Sequence, residues 1–276
     1  MIEKESLKCA PGVNYSEGSC FTLDQLVRIG NKFNNKYGVS INTSQPKKEL
    51  LRVLIKNIKE KKNCEGDSCL LELNVYDNED KDITNTLRPK GPRYSNKWLS
   101  NINIDDVMKQ YQSKYSKFKY LGTVPSDFED LKFLKIKDLR FKDLLKKNKH
   151  KIGMVINLDT SDGSGTHWVS LYANLKKRQL YFFDSYGKKP MKSIFKFMNR
   201  IYNEFTNRNL DYNNINTNKK FKVRYNIIQH QRKNSECGVY SMNFIIRLLN
   251  GEKFSDITKN ITDDDNMFEC RKSYFR

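Results

Sequence analysis

Residues 231–246 read QRKNSECGVYSMNFII, a polar loop that turns at Cys237 into a strongly apolar run. The apolar run predicts a buried helix that begins at Cys237. Backbone N–H groups at the start of a helix have no partners within it, and the helix dipole is positive there, so a thiolate is stabilised. Cys237 is therefore the candidate nucleophile of a thiol enzyme.

A catalytic cysteine needs a base, and the chain has only three histidines. His167 opens an alternating segment that predicts a strand, which would hold the imidazole rigidly. Asp184 directly follows the next predicted strand. His167 would take the proton of Cys237 and deliver it to the leaving group, while Asp184 would orient the imidazole and stabilise its cation.

The loop before the cysteine holds a candidate oxyanion donor. Gln231 can present its side-chain amide to a developing oxyanion together with the backbone N–H of Cys237, a kind of contact that contributes about 3 kcal/mol in acyl transfer. Gln229 is the alternative donor. The remaining histidines, His150 and His230, are expected to be solvated or structural, and His230 would act as base only if His167 faced away from Cys237.

Strand and helix patterns alternate without a repeat through the rest of the chain. Such a mixed order favours an α+β fold, with helices packed on a mostly antiparallel central sheet. The Lys-rich segment between residues 112 and 150 is less regular. The patterns predict strands at 152–158, 167–173, 180–183 and 221–228, and helices at 104–111 and 191–205.

The first third of the chain is predicted to be a separate helical arm. Helical spacing behind Thr22 and behind Pro46 predicts two amphipathic helices. Residues 77–93 are rich in charge, proline and glycine, and are predicted to be a linker or exposed loop. We therefore divide the chain into a helical accessory domain, 1–90, and a catalytic core domain, 91–276.

Four cysteines of this arm allow several interpretations. Cys9, Cys20, Cys64 and Cys69 are numerous enough for a zinc site, but the spacing of the first two is not a zinc-finger pattern. We favour reduced thiols or core packing over zinc or a disulfide, and we predict no metal or other cofactor. The arm would support substrate binding or the core rather than catalysis.

The charge is concentrated in the second part of the chain. The net charge is +19, with 15 basic and 13 acidic side chains in residues 1–90 and 36 and 19 in residues 91–276. The positive electrostatic field of such a region attracts nucleic acid, anionic membranes or acidic proteins. A lysine- and asparagine-rich composition also follows from an AT-rich coding sequence, so both interpretations stay open. No apolar run suits a membrane span and no signal-peptide pattern is present, which predicts a soluble, non-secreted protein.

The order His167, Asp184, Cys237 distinguishes this chain from papain-like enzymes, in which the cysteine comes first. This order, the pair His167-Trp168, and the five residues between Gln231 and Cys237 resemble the ubiquitin-like-protein protease superfamily. That superfamily includes SUMO-deconjugating proteases and adenovirus protease. The resemblance implies their cysteine proteinase fold and no cofactor. Likeness to adenovirus protease would also allow stimulation by nucleic acid bound to the basic core.

Within the superfamily the chain is most similar to the African swine fever virus type of polyprotein-processing protease. This implies a cysteine endopeptidase that cuts viral structural polyproteins after Gly-Gly during particle maturation, in the host cytoplasm and the virion. Around Trp98 and Leu99 the chain also resembles the tryptophan motif of deconjugating enzymes, whose ring covers the Gly-Gly tail of a substrate. We therefore predict that Trp98, Trp168 and Asn157 bind substrate. At Asp184 that viral type is expected to have asparagine. The matching segments are 91–93, 101–105, 157–159, 167–169, 230–232, 236–238 and 261–263.

Two other classes of function remain open. The same fold and triad would suit a protease that removes SUMO or ubiquitin-like modifiers, or an acetyltransferase. The third class is a non-enzymatic protein that binds polyanions, which would explain the positive charge but not the catalytic motifs.

Overall fold

A computed structural model of the protein describes residues 8–64, 66–73, 75–216 and 220–276. The chain forms two compact units. One comprises Met1–Lys90 with Phe275–Arg276 and is called the N-terminal unit, and the other is Gly91–Tyr274 and is called the core unit.

The N-terminal unit is built on the two predicted amphipathic helices, α1 (Leu23–Tyr37) and α2 (Lys47–Lys61). The side chain of Thr22 accepts a hydrogen bond from the backbone of Gln25, and the Gln25 side chain accepts one in return, so the start of α1 is capped from both sides. Two 3₁₀ helices (Gly66–Leu73 and Asn78–Asp80) and a short helix α3 (Lys81–Thr84) follow.

The segment predicted as a linker is partly helical and contributes to a core. Ile83 and Leu87 are buried in the hydrophobic cluster of the N-terminal unit, so the linker prediction is wrong for the first half of residues 77–93. The high density of charged residues there concealed the few apolar side chains that pack inward.

Two disulfides cross-link the N-terminal unit, Cys9–Cys20 and Cys64–Cys69. The preference for reduced thiols is therefore wrong, and the disulfide alternative is the one observed. Disulfide formation depends on the distance between the Cα atoms, which is 5.4 Å in both pairs and which sequence spacing alone does not determine.

The core unit is an α+β fold with a five-stranded sheet in the order β1-β2-β3-β4-β5. Its strands are β1 (Phe118–Val124), β2 (Lys151–Asn157), β3 (Trp168–Asn174), β4 (Gln179–Phe183) and β5 (Lys222–Tyr225). Its helices are α4 (Asn101–Lys114), α5 (Phe141–Lys146), α6 (Lys192–Thr206), α7 (Cys237–Leu249), α8 (Phe254–Lys259) and α9 (Asp264–Tyr274).

The sheet is mixed. The three central strands are antiparallel, as predicted, but β1 pairs parallel to β2 and β5 pairs parallel to β4. Each parallel pair is joined by a long connection that contains a helix, α5 for the first pair and α6 for the second. Strand β1 was not predicted, because Gly122 adopts a positive φ where the register shifts and so breaks the alternation of side chains.

Helices cover both faces of the sheet. Alternate residues of β2, β3 and β4, such as Met154, Leu171 and Phe182, join α6 in one hydrophobic cluster. The opposite face packs against α7, where the rings of Phe183 and Phe244 stack with centroids 4.8 Å apart. Helix α7 is buried along most of its length, and its first residue, Cys237, is thereby held rigidly.

Candidate active site

Three elements bring the predicted catalytic residues to one end of the sheet. His167 directly precedes β3, and Asp184 directly follows β4, its antiparallel neighbour, in which Phe183 pairs with Ser170. The two side chains meet, with His167 Nε2 2.7 Å from Asp184 Oδ1. Helix α7 starts at this end with Cys237, whose side chain lies close enough to the imidazole to raise its pKa.

The charge of His167 is set by two opposing effects. Burial favours the neutral ring, but the hydrogen bond to the Asp184 carboxylate, and then the interaction with the nearby Cys237, outweigh burial and raise the pKa of His167 to about 9. Since Nε2 faces Asp184, the other ring nitrogen, Nδ1, is available to the thiol. The ring is therefore positioned to hold a proton between the carboxylate and the sulfur.

Two residues that were not predicted from the sequence hold this pair in place. The backbone N–H of Tyr186 donates to Asp184 Oδ1 (2.8 Å), and the Tyr186 ring stacks on His167 with centroids 4.6 Å apart. The buried side chain of Asn226 accepts from the Asp184 N–H (2.9 Å) and donates to the Asp184 carbonyl (2.6 Å). Nothing in the sequence pattern singles out Asn226, since it is distant in the chain and follows a short strand.

Gln231 is completely buried and is held by its neighbours on both sides. Its Oε1 accepts from the Ser185 hydroxyl (2.6 Å), and its Nε2 donates to the Lys233 carbonyl (2.7 Å). A primary amide has two N–H donors, so one remains for another acceptor. Gln229 is exposed, and its amide donates to the Gln231 carbonyl.

A buried ion pair supports the residue before the cysteine. Arg271 of α9 donates to both carboxylate oxygens of Glu236 at 2.9 Å, and to the carbonyls of Pro92, Lys97 and Ser235. Both Arg271 and Glu236 are buried. This pair links the start of α7 to the segment that carries Trp98, and it was not predicted from the sequence.

The three predicted substrate-binding residues line one groove of about 690 Å³. Trp98 is 50% exposed, and the Trp168 indole N–H donates to the carbonyl of Leu99 (3.0 Å). Asn157 Oδ1 accepts from the backbone N–H groups of Asp159 (3.0 Å) and Thr166 (3.3 Å). Asn157 thus holds the glycine-containing loop that precedes His167.

A further aromatic residue of this groove was missed. Phe133 is 77% exposed and lines the groove together with Trp98. It lies in the 3₁₀ helix Lys132–Leu134, within the less regular Lys-rich segment of the sequence. The groove adjoins the histidine, because its wall residue Trp168 follows His167 directly.

The other two histidines lie away from this arrangement. His230 is buried, with Nε2 3.2 Å from the Thr258 carbonyl and Nδ1 accepting from the backbone of Thr262. His150 precedes β2 at the opposite end of the sheet. In the described parts of the chain no group of three or more potential metal ligands was found, and no helix could cross a bilayer.

Residues 101–275 match the Ulp1 protease family, C-terminal catalytic domain. The chain belongs to this family and is a cysteine peptidase, which confirms the enzyme class and the superfamily resemblance predicted from the motifs.

The relatives are viral cysteine proteases. "Putative thiol protease R355" of Acanthamoeba polyphaga mimivirus is 31% identical over 281 residues, 94% of this chain and 89% of that protein. "Cysteine protease S273R" of an African swine fever virus isolate is 27% identical over 251 residues, covering 83% and 88% of the two chains. The crystal structure of the African swine fever virus pS273R protease superposes with a TM-score of 0.68 at 20% identity, covering 98% and 95%. The protein is thus a viral cysteine protease of the Ulp1 family, similar to S273R.

Proposed function

We propose that His167, Asp184 and Cys237 form the catalytic triad of an endopeptidase that cleaves viral structural polyproteins after Gly-Gly pairs during particle maturation. The observation that carries the proposal is the contact of His167 with Asp184 (2.7 Å) beside Cys237, which is the first residue of a helix and raises the pKa of His167.

In the proposed reaction the thiolate of Cys237 attacks the carbonyl carbon of the second glycine. The oxyanion of the tetrahedral intermediate accepts hydrogen bonds from the Cys237 backbone N–H and the remaining amide N–H of Gln231. His167 donates its proton to the leaving amine, and an acyl-enzyme results. A water molecule, deprotonated by His167, then attacks the acyl carbon and releases the thiolate.

Preference for Gly-Gly follows from the groove next to the histidine. We propose that Trp98 and Trp168 flank the glycines, with Asn157 shaping the wall of the groove through the loop that it holds. A narrow passage suits glycine because any Cβ would clash with its walls. The similarity to S273R supports the cysteine protease class, and the polyprotein substrate rests on the motif resemblance.

The triad and Gln231 supply the nucleophile, the base and the oxyanion donors, so the proposed mechanism uses no cofactor. We also propose that the basic core unit binds nucleic acid, which would concentrate the enzyme at viral assembly sites in the host cytoplasm and in the virion. Phosphate-driven binding should weaken steeply with salt. A gel-shift titration that shows no retention at low ionic strength would contradict this binding.

Peptides Gly-Gly-X with a fluorogenic leaving group test the cleavage. Wild-type protein should hydrolyse them, and Cys237→Ala should not. Cys270→Ala is the matched control, because Cys270 is the other cysteine without a disulfide and lies in α9. Equal activity of wild type and Cys237→Ala would reject the thiol mechanism.

The second candidate is a protease that removes SUMO-like modifiers, favoured by membership of the Ulp1 family. SUMO conjugates and polyprotein fragments offered at equal concentration distinguish the two. Faster cleavage of SUMO conjugates would favour this candidate. Labelling of Cys237 by acetyl-CoA without hydrolysis would instead indicate an acetyltransferase.

A further inference from the structure

A second cavity of about 430 Å³ lies at the end of the sheet opposite the candidate active site. It is formed where β2, β4 and β5 begin, where β3 ends, and by the loop between α7 and α8. Strand β3 runs from Trp168 to Asn174, so at about 3.3 Å per residue the cavity lies about 20 Å from His167. None of the residues proposed for catalysis lines it.

The lining of this cavity is strongly cationic. Five lysines from four parts of the fold surround it together with Arg224. Among the described ion pairs none involves these five lysines, which are Lys151, Lys176, Lys177, Lys222 and Lys253. The acidic residue of the lining, Glu252, is paired with Arg247 at 2.7 Å. In the described parts of the chain, no carboxylate therefore neutralises the charge of these five lysines.

The closely spaced positive charges contribute to lowered pKa values of two residues that line the cavity. Burial, followed by the nearby charge of Lys177, lowers the pKa of Lys151. Burial, followed by the charges of Lys117, Lys176 and Lys151, lowers the pKa of His150. An anion in the cavity would relieve this repulsion.

The cavity also offers neutral donors. Burial raises the pKa values of Tyr172 and Tyr181, so both hydroxyls stay protonated at neutral pH. Their rings stack with centroids 6.4 Å apart, and Phe254 packs on Tyr181 at 4.6 Å. Protonated hydroxyls beside ammonium groups are suitable donors to phosphate oxygens.

We propose that this cavity binds a compact anion that carries several clustered phosphate groups. Its volume lies in the range of small-molecule sites. A single carboxylate would neutralise only one of the cations, whereas each phosphate monoester carries about 1.5 to 2 negative charges and three acceptor oxygens. The lining comes from several elements around one concavity, which suits a compact ligand better than the extended backbone of a duplex. This site is independent of the proposed protease function.

Calorimetric titration of the full-length protein with inorganic tripolyphosphate tests the site. Wild type should bind one equivalent, and Lys222→Gln/Lys253→Gln should bind at least tenfold more weakly. Lys192→Gln/Lys196→Gln is the matched control, because it removes two exposed lysines from α6, outside the cavity. The control should bind within twofold of wild type.

Three results would overturn the proposal. The first is no binding of tripolyphosphate at low salt. The second is an equal loss of affinity for tripolyphosphate in both double variants, which would indicate that the anion responds to the overall positive charge of the protein. The third is tight binding of a 12-nucleotide single strand, weakened by Lys222→Gln/Lys253→Gln, without any binding of tripolyphosphate. That would make the cavity part of a nucleic-acid surface.

Discussion

Replacing Asp184 with asparagine separates the charge of this side chain from its shape. The pKa of His167 is about 9, although burial by itself would lower it from the ordinary value of 6.5. The difference between the pKa of about 9 and the ordinary value of 6.5 corresponds to about 3 kcal/mol in favour of the charged ring, at 1.36 kcal/mol per pKa unit. The hydrogen bond to Asp184 is the largest contribution that raises this pKa.

In Asp184→Asn the amide oxygen can still accept from His167 Nε2, but the negative charge is lost. Burial then acts against the imidazolium with less opposition, so the pKa of His167 should fall by at least about one unit. In the wild type, kcat/KM for a Gly-Gly peptide should decline above about pH 9 as His167 loses its proton. In the variant this decline should begin at least about one pH unit lower.

The free energy of unfolding should also depend on pH through the protonation of His167. Because the folded-state pKa of His167 is raised, its contribution is fully present below about pH 6.5 and is lost as the pH rises towards 9. The wild type should therefore lose up to about 3 kcal/mol of unfolding free energy across this window, and the loss in Asp184→Asn should be smaller by at least about 1.4 kcal/mol.

Kinetic pH profiles and urea unfolding between pH 6 and 10 measure both effects. Asp130→Asn is the control, since it removes one exposed carboxylate from the loop after β1. The control should follow the wild type in both assays. If Asp184→Asn keeps the same alkaline limb and the same pH dependence of stability, then Asp184 does not set the charge of His167.

Three other substitutions test separate parts of the structure. Arg271→Met leaves the Glu236 carboxylate buried without its cation, so it should lower the unfolding free energy by about 3 to 5 kcal/mol in urea unfolding. Adding Glu236→Gln should recover part of the loss, and no recovery would contradict the ion-pair explanation. Cys9→Ser with Cys20→Ser removes a disulfide that joins residues 11 apart, which should lower the free energy of unfolding of the N-terminal unit by about 2 to 4 kcal/mol. A melting curve that is unchanged by the double substitution or by reductant would refute this prediction. Phe133→Ala should raise KM for polyprotein peptides about fivefold with little change in kcat, whereas an unchanged KM would exclude Phe133 from the groove that binds substrate.

Local chemistry made much of the core unit predictable. The helix that begins at Cys237, the strand that follows His167 and the strand that ends before Asp184 all have strong patterns of burial. A sheet in which two of these segments are antiparallel neighbours places the end of one beside the start of the other. The contact between His167 and Asp184 is a direct consequence of that pairing.

The missed residues act through contacts that no local pattern encodes. Asn226 reaches Asp184 across 42 positions of sequence, and Arg271 reaches Glu236 across 35. Strand β1 was hidden by a bulge, and the two disulfides depended on distances between Cα atoms. Such features arise only when distant segments pack together.

The amino-acid sequence was enough to predict the order of the reactive groups and the helix that starts at the cysteine, because burial periodicity and helix-end chemistry act between near neighbours. The family followed from the resemblance of its short motifs. Only the tertiary structure decided how the imidazole is charged, what supports the loop before Cys237, and that lysines from four segments converge on one cavity. Electrostatic and hydrogen-bond energies depend on distances in space, and folding brings together groups that the chain keeps far apart.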